Sequence, residues 1–221
     1  MKLFISALSK LLVGLSAIAT LLFAPAGTFA FPGAWRLICA LFIPMLIIGV
    51  VFYIWSPNTL SKRLRSKEER TKQKGVVAFS GLIFIASFIL AGLDYRFGWS
   101  DMPSWIIWCC TTLFLLSYGM YAEVMRENEW LSRSIEVADD QKVVSSGLYG
   151  IVRHPMYTAT IGMFLSMPIV LGSVWSFLIF LAYPFIIAAR LKDEEKFLEE
   201  ELEGYREYKE KVKYRLIPFI W

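Results

Sequence analysis

The sequence predicts an all-α polytopic membrane protein: a transmembrane helical bundle of about six spans, with a C-terminal helical hairpin and a cytosolic amphipathic C-terminal helix. Three observations lead there. Hydrophobic residues make up 57% of the 221 positions and charged residues only 19%, more apolar surface than a soluble domain of this size buries. The apolar residues fall in runs near the roughly 20 residues that a helix needs to cross a hydrocarbon core about 30 Å thick. Lys and Arg gather in a few polar segments between those runs, the pattern of a chain oriented by its positive loops.

The first run, 3–23, follows Lys2 and precedes Thr28-Phe29-Ala30, an arrangement that imitates a secretory leader and its cleavage site. It is longer than a leader's apolar region, so a retained first helix is expected. Runs at 35–55, 76–93 and 104–124 supply three more spans. The block 156–189 is too long for one span and slightly short for two. Pro168, Leu171-Gly172-Ser173 and Pro184 divide it into a hairpin of two short or kinked helices turning near Gly172, with a re-entrant hairpin as the alternative. From 190 to 213, charges of both signs alternate with Leu191, Leu198, Leu202, Tyr205 and Val212 on one helical face. This stripe predicts an amphipathic helix on the membrane surface or over the bundle, broken or bent at Gly204. With no internal repeat or linker, residues 1–221 form one membrane domain. Four helices occupy 1–124, and the remaining polar and hairpin segments occupy 125–221.

The loop Ser56–Gly75 carries Lys62, Arg63, Arg65, Lys67, Arg70, Lys72 and Lys74 against Glu68 and Glu69, which puts it inside. Six spans threaded from this anchor put both termini, the 125–155 segment and the tail in the cytosol of an inner or cytoplasmic membrane. Trp35, Trp55, Trp99 and Trp105 sit near helix ends, where amphipathic rings favour the headgroup region. The formal charge of +4 speaks of orientation and not of a nucleic-acid partner. Cys39, Cys109 and Cys110 all lie in apolar runs and supply neither a disulfide framework nor a metal site.

Chemistry-bearing residues concentrate at one membrane boundary. Residues 141–157 read Gln-Lys-Val-Val-Ser-Ser-Gly-Leu-Tyr-Gly-Ile-Val-Arg-His-Pro-Met-Tyr and run straight into the apolar hairpin. Gly147 and Gly150 allow a sharp turn or a close approach to a ligand, Pro155 suits a helix's first turn, and His154 is the chain's single histidine. The ring and the free N–H groups of a helix start make a seat for a carboxylate. Each residue alone also fits a plainer role, as a positive-inside anchor or an interfacial tyrosine. The second cluster, Arg190 to Glu195, gives the set its weight. A folded-back hairpin brings it beside Arg153-His154, with Arg190 and Glu194 one helical turn apart.

These residues carry a family resemblance. Gly147-Leu148-Tyr149, Val152-Arg153-His154-Pro155-Met156-Tyr157, Glu194-Glu195-x-x-Leu198, Tyr205-x-x-Tyr208-x-x-x-Val212 and Leu216-Ile217-Pro218-Phe219 occur in that order with compatible gaps. This composite, over about 125–221, resembles the isoprenylcysteine carboxyl methyltransferase family and its bacterial and archaeal relatives. The tail departs from the family in reading Leu202-Glu203-Gly204-Tyr205 without the usual Phe-Gly pair. The resemblance implies S-adenosylmethionine as cofactor, held by Gln141, Lys142, Val143, Val144, Tyr149, His154, Pro155, Met156 and Tyr157 together with Glu194. Glu195 is the alternative glutamate. It also implies Arg190 on the substrate side and leaves Arg190, Arg153 and Glu195 as catalytic candidates, with Glu195 as base for an amine acceptor. No metal is implied.

The implied reaction is methyl transfer to a lipophilic small molecule, membrane lipid or lipid-modified substrate at the cytosolic face. A carboxylate acceptor is the leading expectation, and a phospholipid or small amine the alternative. A non-enzymatic scaffold or transporter is the competing class, disfavoured because ionisable residues avoid the middle of the spans. A related reductase is a third reading, and the shortness of the chain argues against it.

Overall fold

The computed structural model describes residues 2–57, 60–61, 71–131, 137 and 140–221, and no strand occurs among them. Four long helices come first: α1 (Lys2–Ala26), α2 (Pro32–Trp55), α3 (Thr71–Phe97) and α4 (Ser104–Glu127). A 3-10 turn at Gly147–Gly150 leads to α5 (Pro155–Leu171), α6 (Val174–Phe180), α7 (Tyr183–Glu201) and α8 (Tyr205–Lys211). Residues 62–70, on which most of the charge-based orientation rests, lie outside the described residues.

Five stretches are long and apolar enough to cross a membrane: Leu3–Ala26, Pro32–Trp55, Gly75–Phe97, Ser104–Glu127 and Val174–Glu201. The sixth expected crossing is α5, a 17-residue apolar helix. At 1.5 Å per residue it is about 25 Å long, a few ångströms under the hydrocarbon thickness. It pairs with α6 and α7 to make the expected hairpin. Gly172 is the turn: its φ of 84° is left-handed, which a Cβ would penalise, and Ser173 accepts a hydrogen bond from the Ser176 N–H to start α6.

The hairpin and tail follow the expected breaks, with one difference in where the last long helix begins. Pro184 lies in the first turn of α7, where a missing N–H costs nothing, and the break between α6 and α7 falls at residues 181–182, inside the apolar stretch Val174–Glu201, as expected of a kinked second arm. The charged segment 190–213 breaks at Gly204 as expected, but its first part is not a separate helix. The apolar helix α7 continues through Arg190 to Glu201, and the chain breaks at Gly204, with φ of 82°, before the short α8. The apolar stripe is consequently split. Leu191 packs in the bundle core, whereas Leu202, Tyr205, Tyr208 and Val212 form a second cluster with Val137, Val143 and Leu198. The tail covers the bundle end with its apolar face turned inward.

The core where α3 meets the hairpin is aromatic. Phe84 makes edge contacts with Phe164 and Phe180 at ring separations of 4.7 and 4.9 Å, and Phe164 meets Tyr183 in turn. Such pairs hold the two hairpin arms in register by shape and quadrupole. Large exposed side chains on α1 to α4, among them Val13, Ile47, Leu82 and Leu116, complete an apolar exterior that suits lipid and not water.

Polar residues also fasten the hairpin turn. Asp94 is buried and accepts hydrogen bonds from the Ser100 N–H (2.8 Å), the Ser100 hydroxyl (2.7 Å) and the Ser173 hydroxyl. Arg36 donates to the Val170 carbonyl at 2.6 Å. Carbonyls at the end of α5, left without a helical partner, are a natural target for a cation.

Candidate functional site

At the opposite, open end of the hairpin, the structure builds a cleft from four separate segments. The first is the end of α4. Both carboxylate oxygens of Glu127 accept from the Leu148 N–H, at 3.2 and 3.0 Å, which pins the 3-10 turn. Gly147 suits this turn by its φ of +54°, and a Cβ here would come within 1.8 Å of Glu127 Oε1 and displace the carboxylate that holds the turn. Tyr149 is then fixed from two sides. Asn128 Nδ2 donates to its hydroxyl at 3.0 Å, and the Tyr208 hydroxyl donates to its carbonyl at 2.7 Å.

Arg153 and His154 follow, and both are buried. Their backbone N–H groups donate to the carbonyls of Tyr214 and Arg215, at 2.9 and 3.0 Å, so the tail runs beside the motif. The Arg153 guanidinium donates to the carbonyls of Val212 and Lys213, at 2.7 and 2.8 Å, and through Nε to Glu195 Oε1 at 2.7 Å. His154 Nε2 lies 3.2 Å from that same oxygen, and Arg215 Nε donates to Glu195 Oε2 at 2.9 Å. Glu195 is 2% exposed, and this three-sided pairing is what makes its burial tolerable.

Glu194 and Glu195 are neighbours in α7 with different surroundings, since successive helix residues point about 100° apart. Glu195 turns into the ion cluster. Glu194 turns to the cleft and accepts from the Tyr157 hydroxyl, which in turn accepts from Arg190 Nε at 2.9 Å. Arg190, Tyr157 and Glu194 thus form one connected chain across the mouth of the hairpin.

The cleft is an open one, with about 840 Å³ of space between its walls once its mouth is included. Of the residues expected at a site, Gln141, Lys142, Val143, Val144, Tyr149, Arg153, His154, Met156, Tyr157, Arg190 and Glu194 all line it. Pro155 and Glu195 do not. Pro155 is fully buried at the start of α5, and Glu195 faces the three basic side chains behind the cleft wall.

Sequence reasoning passed over Asn128, Trp130 and Leu131, which follow α4, and Leu198, Leu202, Tyr205 and Tyr208 from the covering tail. Leu198, Leu202 and Tyr205 belong to a stripe whose helical spacing signals packing, nothing in that spacing separates packing from lining, and Tyr208 stands only in the family motif. Tyr205 differs from its neighbours. It is 4% exposed, yet its hydroxyl has no hydrogen-bond partner among the described residues. Burial pushes its phenol well up, and the carboxylates of Glu195 and Glu194 push it in the same direction, so it stays protonated.

A family model described as phospholipid methyltransferase matches residues 104–203, which hold α4 to α7 and most of the cleft. No match was found among curated proteins. Among solved structures, the chain is similar to the eukaryotic intramembrane Ras methyltransferase ICMT, an isoprenylcysteine carboxyl methyltransferase. The identity is 18%, the similarity covers 97% of this chain and 77% of that one, and the TM-score is 0.58. Residues 104–203 thus carry the pattern of the phospholipid methyltransferase family, inside a chain whose whole fold is isoprenylcysteine carboxyl methyltransferase-like.

Proposed function

We propose that this chain transfers a methyl group from S-adenosylmethionine to the carboxylate of a lipophilic acceptor, at the cytosolic face of the membrane. The observation that carries the reading is the joining of Arg190, Tyr157 and Glu194 in one cleft with His154 and the 141–149 segment. The donor set suits the cofactor. A carboxylate, Glu194, fits an ammonium or ribose hydroxyls, His154 at a helix start fits a carboxylate, and the rings of Tyr149, Tyr205 and Tyr208 offer surfaces for a base.

When bound, the cofactor supplies an electrophilic methyl group on a sulfonium. The work left to the protein is alignment and exclusion of water, for which positioning is the main catalytic contribution. Arg190 binds and orients the acceptor's carboxylate, and its bond to Tyr157 couples that seat to the cofactor side through Glu194. Glu195 and Arg153 are positioning residues. Together with Arg215 and the tail carbonyls they fix His154 and the start of α5. The lipophilic part of the acceptor reaches the cleft from the bilayer between helices.

A carboxylate acceptor needs no base, and this favours it. Glu195, the candidate base for an amine, has both oxygens engaged by basic side chains and lies outside the cleft. The phospholipid methyltransferase match supports a second reading, N-methylation of a phospholipid headgroup. One experiment separates the two. Membranes containing the chain are incubated with methyl-labelled S-adenosylmethionine and extracted, and the labelled fraction is treated with base. The carboxylate reading expects base-labile label, base-stable label in the phospholipid fraction supports the second, and no incorporation above control membranes contradicts both.

A further inference from the structure

We infer that Tyr205 is a ligand-binding residue whose hydroxyl donates a hydrogen bond to an uncharged acceptor atom of the bound nucleoside, a ring nitrogen or a ribose oxygen. The assignment rests on the donor-site reading above and adds a contact that the motif resemblance does not contain. Four tyrosines line the cleft, and three have their polar groups engaged by the protein. Tyr157 donates to Glu194, Tyr208 donates to the Tyr149 carbonyl, and the Tyr149 hydroxyl accepts from Asn128. Tyr205 lines the same cleft, is as deeply buried, and has no partner for its hydroxyl.

A buried hydroxyl left unmade costs free energy that a phenylalanine would not, and the surrounding cluster of Leu202, Val143 and Leu198 would accept a phenyl ring without change. The oxygen is therefore explained by something that enters the cleft. The charges facing it narrow the choice. Glu194 and Glu195 lie on the α7 side and Arg153 on the α5 side, while Tyr208 is its neighbour on α8. Two carboxylates nearby repel an anionic ligand group and leave room for a neutral acceptor. Gly204, in its left-handed conformation, sets the turn that swings Tyr205 back over the cleft.

The test is calorimetric titration of the full chain, purified in detergent, with S-adenosylhomocysteine, comparing the native protein with Tyr205→Phe, and thermal unfolding of both without ligand. Loss of one ligand hydrogen bond predicts affinity weakened about 5- to 30-fold. The ligand-free variant is expected to unfold at the same temperature or higher, because the unsatisfied hydroxyl is gone. Equal affinities overturn the inference and leave the donor site standing, the hydroxyl then being hydrated. A lower unfolding temperature of the ligand-free variant also overturns it, showing a structural role. No saturable binding to the native chain removes the donor-site reading and this assignment with it.

Discussion

Each end of the α5–α7 hairpin is tied down by a buried carboxylate, and the two differ in what they face. At the turn, Asp94 is 2% exposed and is satisfied by two hydroxyls and a backbone N–H from Ser100 and Ser173. At the open end, Glu195 is equally buried but is held by Arg153, Arg215 and the His154 ring. Neutral donors close a turn compactly and draw no cationic side chain to it. Cations drawn from α5 and the tail do something else: they bring a motif, a helix and a terminal segment to one place and leave a cleft beside them. A buried acidic residue is thus a fastener at both ends, and only the partners at the open end build a site.

Removing each carboxylate tests that contrast. Glu195→Ala strands Arg153 without its counter-charge in a buried position, and breaking such a pair costs roughly 3–5 kcal/mol. The expected outcome, read by thermal unfolding in detergent, is the larger loss of stability, accompanied by loss of S-adenosylhomocysteine binding. Asp94→Asn exchanges one acceptor oxygen for a donor against hydroxyls that can rotate. It is expected to cost about 1–3 kcal/mol, read the same way, with ligand affinity in the surviving folded protein within twofold of the native chain. Equal effects of the two changes on binding would mean that the hairpin behaves as one rigid unit, and the distinction between its ends would fall.

Much of the frame was legible in the sequence because membrane spans announce themselves by length and hydropathy, and Gly172 marked the turn because few other residues accept a left-handed backbone. The meeting of Arg153-His154 with Glu194-Glu195 followed from folding the hairpin back. The division of labour between the two glutamates did not follow. Their directions depend on helix register, which an acidic run leaves open. The end of the tail was equally hidden, since Val212 to Arg215 act through main-chain carbonyls that no side-chain pattern encodes. Glu127 and Asn128 carry no signal either. An acidic and an amide residue at the end of a span look like solvated groups until Gly147 is seen to lie against the carboxylate. Arg190 reaches Tyr157 beside Glu194 because one helical turn separates positions 190 and 194 whatever the register.

We propose the open end of the hairpin as a methyl-donor site organised by Glu194. Isothermal titration of the purified full chain with S-adenosylhomocysteine tests it most directly, with native protein beside Glu194→Ala and Asp94→Asn. Saturable one-to-one binding is expected for native protein and Asp94→Asn, and at least about tenfold weaker binding for Glu194→Ala, the loss of roughly 1.4 kcal/mol or more that a charge-assisted hydrogen bond carries. Absence of saturable binding to the native chain, or undiminished affinity in folded Glu194→Ala, would contradict it.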